Sequence, residues 1–232
     1  MKKYLPVITT VFLLASCGSL TNVRSGAHRP KEKFKTKAPS LENSFLGSLR
    51  AWSEKILRQN PKQVTIRDKK FPIDCSNFVR AVYFGANGRD LFEEATKAGI
   101  TQKLARESAV FGDQLGVLMI YVLFKHQHRI SQSPAPGDII FFDNTYDRNK
   151  NRKRDDFFSH TGLVLEVASD GTVTFIHAGT SKGVQIGFLN LHYPHLHKKD
   201  GKIINSYLRH TYAWDNTNQR LTGQLVRGFG RL

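Results

Sequence analysis

The stretch Phe71-Pro72-Ile73-Asp74-Cys75-Ser76-Asn77-Phe78-Val79-Arg80-Ala81-Val82-Tyr83 constrains the fold most. Phe78, Val79, Val82 and Tyr83 recur at helical spacing, and Pro72, Asp74 and Ser76 supply start signals ahead of them. Cys75 is predicted to sit in or just before the first turn of a helix whose apolar face must pack on another layer. There, unpaired backbone N–H groups and the positive end of the helix dipole favour a thiolate, which lowers the cysteine pKa and creates a nucleophile. The other role open to a single cysteine is that of a small buried hydrophobe.

The only other cysteine is Cys17. Residues 1–16 read as an export signal: Lys2 and Lys3 form a positive start, residues 5–14 are apolar, and Leu14-Ala15-Ser16 leads into Cys17. The apolar stretch is shorter than the about 20 residues that a spanning helix needs. Leu14-Ala15-Ser16-Cys17 resembles the bacterial lipobox, and that resemblance implies a diacylated Cys17 as the first mature residue. An acylated cysteine cannot form a disulfide, so Cys75 is expected to be a solitary thiol in an oxidising compartment.

Charge narrows the partners. The chain carries 35 Lys and Arg against 19 Asp and Glu, a formal net charge of +16. So basic a balance calls for polyanionic neighbours. Export directs the expectation to anionic lipid or acidic wall polymer and away from nucleic acid.

Residues 17–39 are polar and basic, with Arg24, Arg29, Lys31, Lys33, Lys35 and Lys37, and read as a lipidated tether. A flexible coil of that length spans roughly 25 Å r.m.s.. The remaining domain, 40–232, opens with Ser40 as N-cap and Leu41, Phe45, Leu49, Trp52 and Ile56 on one helical face, ending near Asn60-Pro61. Residues 62–70 read as a basic extended connection. Gly85-Ala86-Asn87-Gly88 breaks the cysteine helix. Short helices are predicted over 91–98 and 101–109. The apolar run 117–124 fits a buried strand or a buried helix equally, because periodicity cannot separate them. Pro134 to Asp138 form a turn, 139–142 a buried strand, and 147–156 a solvated basic loop. Strands follow at 159–167 and 172–177, joined around Asp170-Gly171, and two more are expected at 184–189 and 203–208.

Nucleophilic thiol chemistry needs a cysteine, an imidazole that receives and returns a proton, and a third group that orients the imidazole. Cys75, His160 and His177 supply that set in chain order. Asp74-Cys75-Ser76, Pro136-Gly137-Asp138-Ile139-Ile140-Phe141-Phe142, Ser159-His160-Thr161-Gly162 and His177-Ala178 together resemble the successive motifs of the NlpC-type cell-wall peptidases, a papain-like superfamily, over about residues 70–190.

The resemblance implies an α+β fold in which a cysteine-bearing helix packs on an antiparallel β-sheet, with extra helices here. It also implies Cys75 as nucleophile, His160 as general base and acid, His177 as orienting residue, and Asp74 and Ser76 as substrate-binding positions. The reaction implied is hydrolysis of amide bonds in peptidoglycan stem peptides, often between D-glutamate and the diamino acid. It needs no metal or other cofactor.

Three departures bear on the substrate. Asn77 stands where the family usually has glycine, the upstream Tyr-x-x-Gly-Gly stretch is missing from 63–73, and the segment from Cys75 to Pro136 is long. The expected protein is a monomer in the bacterial cell envelope, on the periplasmic face of the outer membrane or the cell surface. Two alternatives stay open: a non-catalytic wall-binding lipoprotein on the same scaffold, and a papain-like amidase with another substrate.

Two further expectations are geometric. With Asp170-Gly171 as a two-residue loop, His177 falls opposite Val164, four residues from His160, or roughly 13 Å at strand rise. A direct hydrogen bond over that span needs a bulge, strong coiling or a different loop. His192, His195 and His197 read as a histidine-rich loop, since no cysteine or carboxylate set accompanies them at a metal-ligand spacing.

Overall fold

A computed structural model describes residues 44–100, 115–180 and 182–232. The signal and tether segments, Cys17, Ser40 and the helix expected over 101–109 lie outside the described residues. Helix α1, Phe45–Gln59, is capped by Ser44, whose hydroxyl accepts from the Gly47 N–H at 3.0 Å. Leu49 and Ile56 on its apolar stripe are buried, and Asn60 ends it in the left-handed region, a conformation that asparagine tolerates at a helix end.

Residues read as an extended connection are a β-hairpin. Strand β1, Gln63–Ile66, pairs antiparallel with β2, Lys69–Pro72, through Arg67 and Asp68, both at positive φ. Arg-Asp performs the turn that Asn-Gly usually announces. The hairpin delivers the chain to helix α2, Cys75–Asn87, with Asp74 as N-cap. Gly85 and Ala86 do not break this helix. Gly85 makes room for α1: a Cβ there would lie 2.6 Å from the Trp52 ring. Gly88, at φ 76°, provides the left-handed stop.

Helix α3, Leu91–Lys97, is followed by α4, Leu115–His126, which resolves the ambiguous apolar run as helix. Val117, Leu118, Ile120, Leu123 and Phe124 are all buried, so the helix is apolar on nearly every side and carries no period to read.

The central sheet contains β3 (Ile130–Ser131), β4 (Ile139–Phe142), β5 (His160–Val167), β6 (Thr172–Thr180), β7 (Gly183–Asn190) and β10 (Val226–Gly230). Its spatial order is β3-β10-β4-β5-β6-β7, antiparallel throughout. Both faces are covered. Ile139 and Phe141 face a core shared with α1, α2 and α4, while Ile140 and Phe142 face a second core with Val173, Phe175, Leu189 and Phe229. Two covered faces explain why β4 is an unbroken apolar run.

Strand β10 is inserted between β3 and β4, one strand in from the edge of the sheet. The strand expected over 203–208 is shorter: Lys202–Ile203 (β9) pairs with Lys198–Lys199 (β8), and Tyr207 makes only an isolated bridge to Leu221. A short helix, α5 (Thr222–Leu225), leads into β10. The mixed architecture, with α2 against β5 and β6, is the expected α+β arrangement.

Candidate active site

Cys75 is the first residue of α2, and the Asp74 carboxylate caps that helix by accepting the Asn77 N–H at 2.8 Å. The same carboxylate accepts the Ser76 hydroxyl at 2.9 Å and the Asn77 side-chain amide at 2.6 Å. Asn77 in turn accepts from Arg80, and Arg80 grips the fully buried Asp90 carboxylate at 3.0 and 2.8 Å. Lys69 on the hairpin joins the same carboxylate. The departure at position 77 is therefore a structural link: it ties Asp74 to a buried ion network, and Asn77 is not among the residues that line the cavity above Cys75.

That cavity has a volume of about 560 Å³. Asp74, Cys75, Ser76, Phe92 and Gly116 line it from α2, α3 and α4, and Tyr146, Ser159, His160 and His210 line it from the sheet and its loops. Gly179, at φ 97°, lies against the start of α2: a Cβ on it would be 3.0 Å from the Cys75 backbone N. A side chain there would crowd the N–H that an oxyanion on a carbonyl attacked by Cys75 would use.

His160 opens β5 and His177 lies on β6. Val167 pairs with Val173, Val164 with Phe175 and Gly162 with His177. The Ala168 N–H donates to Thr172 O at 2.9 Å, so the connection is a three-residue loop, not the two-residue loop expected. A bulge between Val164 and Glu166 shifts the register by one more residue. Together these slide His177 from its expected place opposite Val164 to one opposite Gly162. It becomes a diagonal neighbour of His160, within reach of a long side chain. His160 Nε2 and His177 Nδ1 are 2.9 Å apart, with the rings nearly perpendicular.

Gly162 permits this approach, because a Cβ there would lie 2.6 Å from Ile176 O and 3.1 Å from the His177 Cβ. His160 Nε2 is engaged by His177, and a proton exchange between His160 and Cys75 would therefore use the other ring nitrogen, Nδ1. In that tautomer His160 Nε2–H donates and His177 Nδ1 accepts.

Electrostatics depart from the sequence-based expectation at Cys75. Burial pushes its thiol up to about 12, the Asp74 charge pushes the same way, and the backbone N–H groups of Thr161, Ser76 and Cys75 pull it down. The helix start acts in the expected direction, but desolvation of the thiolate outweighs it. Burial, and next the adjacent His177, hold His160 well below the usual 6.5. Burial lowers His177 to about 4. Phe142 stands beside the His160 ring at 6.2 Å and Phe175 beside His177 at 5.3 Å, which is the apolar setting that disfavours both cations. Each shift opposes the ionised form, thiolate at Cys75 and imidazolium at His160 and His177.

Tyr146, Ser159, Gly179 and His210 were not singled out in the sequence. Ser159 lay within a recognised motif, whereas His210 comes from a segment with no motif. The clustered histidines have separate partners: the His195 ring meets Gln224 at 3.2 Å, the His197 ring meets Asn205 O at 2.7 Å, and His192 packs by Gly171.

Comparison with curated proteins gave no match, and comparison with solved structures gave none. Among protein families, the model described as the NlpC/P60 family matches residues 62–200, more than half of the chain and the span that holds the hairpin, Cys75, His160 and His177. The chain belongs to the NlpC/P60 family, whose members are cell-wall peptidases and amidases.

Proposed function

We propose that this protein is a lipid-anchored cysteine peptidase or amidase that hydrolyses amide bonds in peptidoglycan stem peptides, with the bond between D-glutamate and the diamino acid as the expected target. The single observation that carries this reading is the 2.9 Å contact between His160 and His177 in the wall of the cavity that also holds Cys75. Acylated Cys17 and the basic tether would place the enzyme at the membrane, within reach of the wall polymer.

In this mechanism the substrate carbonyl lies over Cys75. The sulfur attacks as its proton passes to His160 Nδ1, and the resulting oxyanion takes a hydrogen bond from the Cys75 N–H. His177 stabilises the new imidazolium by accepting from Nε2. His160 then returns the proton to the departing amine, leaving a thioester. Water attacks the thioester with His160 again as base, releasing the carboxylate product and the thiol. Because thiol and imidazole start neutral, proton transfer accompanies attack and no standing thiolate is required.

A second reading, wall binding without catalysis, draws on the same burial that keeps Cys75 protonated. Purified sacculi and defined stem peptides separate the two. The enzyme reading expects new peptide termini, identified by mass spectrometry, that disappear with Cys75→Ala. Equal product from parent and variant would sink it, and sacculus binding without product would favour the second reading.

A further inference from the structure

The cavity above Cys75 is lined in part by a segment beyond the family-matching region, through His210. Residues 205–221 contain two deeply buried polar side chains. Asn205 accepts the Asn190 N–H at 2.8 Å and donates to Tyr193 O and Leu196 O, each at 2.8 Å. Arg209 has a fully buried side chain, paired with Asp215 at 2.6 Å and bonded to Asn144 O. Its guanidinium also lies 5.2 Å from the Tyr212 ring centroid and 5.5 Å from that of Trp214.

Asp215 is itself shared. Burial would raise its carboxyl, but hydrogen bonds from Thr217 and Arg209 and the charge of Arg154 hold it well below the ordinary carboxylate range. Arg154 belongs to the basic loop and reaches Asp215 at 3.0 Å. The Tyr212 hydroxyl accepts the Asp147 N–H at 2.8 Å, and the His210 N–H donates to Thr145 O at 3.2 Å. The segment is thus laced onto the loop that carries Tyr146. Burying an arginine is costly unless it is paired, and Asp215 and Asn144 O supply partners to its Nε and Nη1. The next residue, His210, is exposed and faces the catalytic cavity.

Its location identifies what it would bind. His160 must hand a proton to the departing amine, so on the proposed mechanism the amine-side part of the substrate lies along the wall that contains His160. Ser159 precedes His160, its hydroxyl accepts the Thr145 N–H, and Thr145 O accepts the His210 N–H, so Tyr146 and His210 lie on the same side of the cavity. Apart from His160, His210 is the only imidazole among those lining residues, with a ring N–H that can donate to an anionic oxygen.

We propose that His210 is a specificity-determining residue that binds a carboxylate on the amine-side residue of the substrate, next to the bond being cut. This rests on the peptidase reading and adds the chemistry of the leaving group. A dicarboxylic diamino acid fits the subsite better than its carboxamide.

The test uses the full mature chain and two stem peptides that differ only in a carboxylate or carboxamide on the amine-side residue. The parent is expected to favour the carboxylate peptide about tenfold in kcat/KM, the worth of one charge-assisted hydrogen bond. His210→Ala brings the ratio to about one, and His210→Lys restores a preference for the carboxylate. A structural role alone would lower both rates together and leave the ratio unchanged, which overturns the proposal. So does a parent that cleaves both peptides equally, although the peptidase reading then survives. A parent that cleaves neither peptide, with the same result for Cys75→Ala, overturns both.

Discussion

His177 stands across the sheet from Gly162, and that pairing brings its Nδ1 to 2.9 Å from His160 Nε2. On the proposed mechanism, a histidine in the next strand thereby acts on the proton of the first. The role requires an acceptor at the Nδ1 position, which an asparagine carbonyl can occupy. His177→Asn is expected to retain substantial kcat, and His177→Ala to lose about a hundredfold, the scale of general acid–base assistance. Steady-state cleavage of a defined stem peptide checks this, and equal loss in both variants would argue against an acceptor role.

Acid stability follows from the same pair. Burial keeps both imidazoles neutral in the fold, with His177 at about 4 against an ordinary 6.5. Between those values the unfolded chain binds the proton and the folded chain does not, so stability falls as pH falls. The His177 contribution is on the order of 3 kcal/mol, complete above about pH 6.5 and lost by about pH 4. Denaturant unfolding of parent and His177→Asn at pH 7 and pH 4.5 should show a smaller acid loss in the variant. Identical losses would mean that His177 is not held neutral by the fold.

Gly179 guards the helix start. A methyl group there would meet the Cys75 N at 3.0 Å, on a backbone at φ 97° that L residues rarely adopt. Gly179→Ala is expected to lower kcat by about a hundredfold or more, as does losing an oxyanion donor. Local backbone strain should cost about 1–3 kcal/mol. Kinetics and thermal melts together check both effects; undiminished kcat would remove the Cys75 N–H from the proposed oxyanion site.

Asn77→Gly restores the residue usual in the family. It removes the hydrogen bonds that join Asp74 to Arg80 and adds chain entropy to the first turn of α2. A destabilisation of about 1 kcal/mol is expected. KM should rise several-fold because Asp74 is less firmly placed, while the bond cleaved stays the same. Product analysis by mass spectrometry checks the last point, and a change of bond would make Asn77 a direct specificity residue.

Much of this site was legible because its signals are local. The helix start at Cys75, the buried run 139–142, the turn at Gly171 and the succession of cysteine and histidine motifs all lie in short stretches whose periodicity or residue types carry the message. The same local reading missed the β1–β2 hairpin, since Arg67-Asp68 is an unusual pair for its turn, and left 117–124 undecided because α4 is surrounded by apolar neighbours.

By itself, then, the sequence determined that a cysteine lies at a helix start, that two histidines follow on neighbouring strands, and that the chain can build a sizeable core. Only the tertiary structure decided the rest. A loop and a bulge set the register that joins His160 to His177, because each residue of slip moves a side chain along its partner strand. Desolvation overrode the helix dipole at Cys75, because burial depends on every layer packed around the sulfur. His210 reached the cleft through Arg209 and Asp215, contacts between segments that no local pattern links.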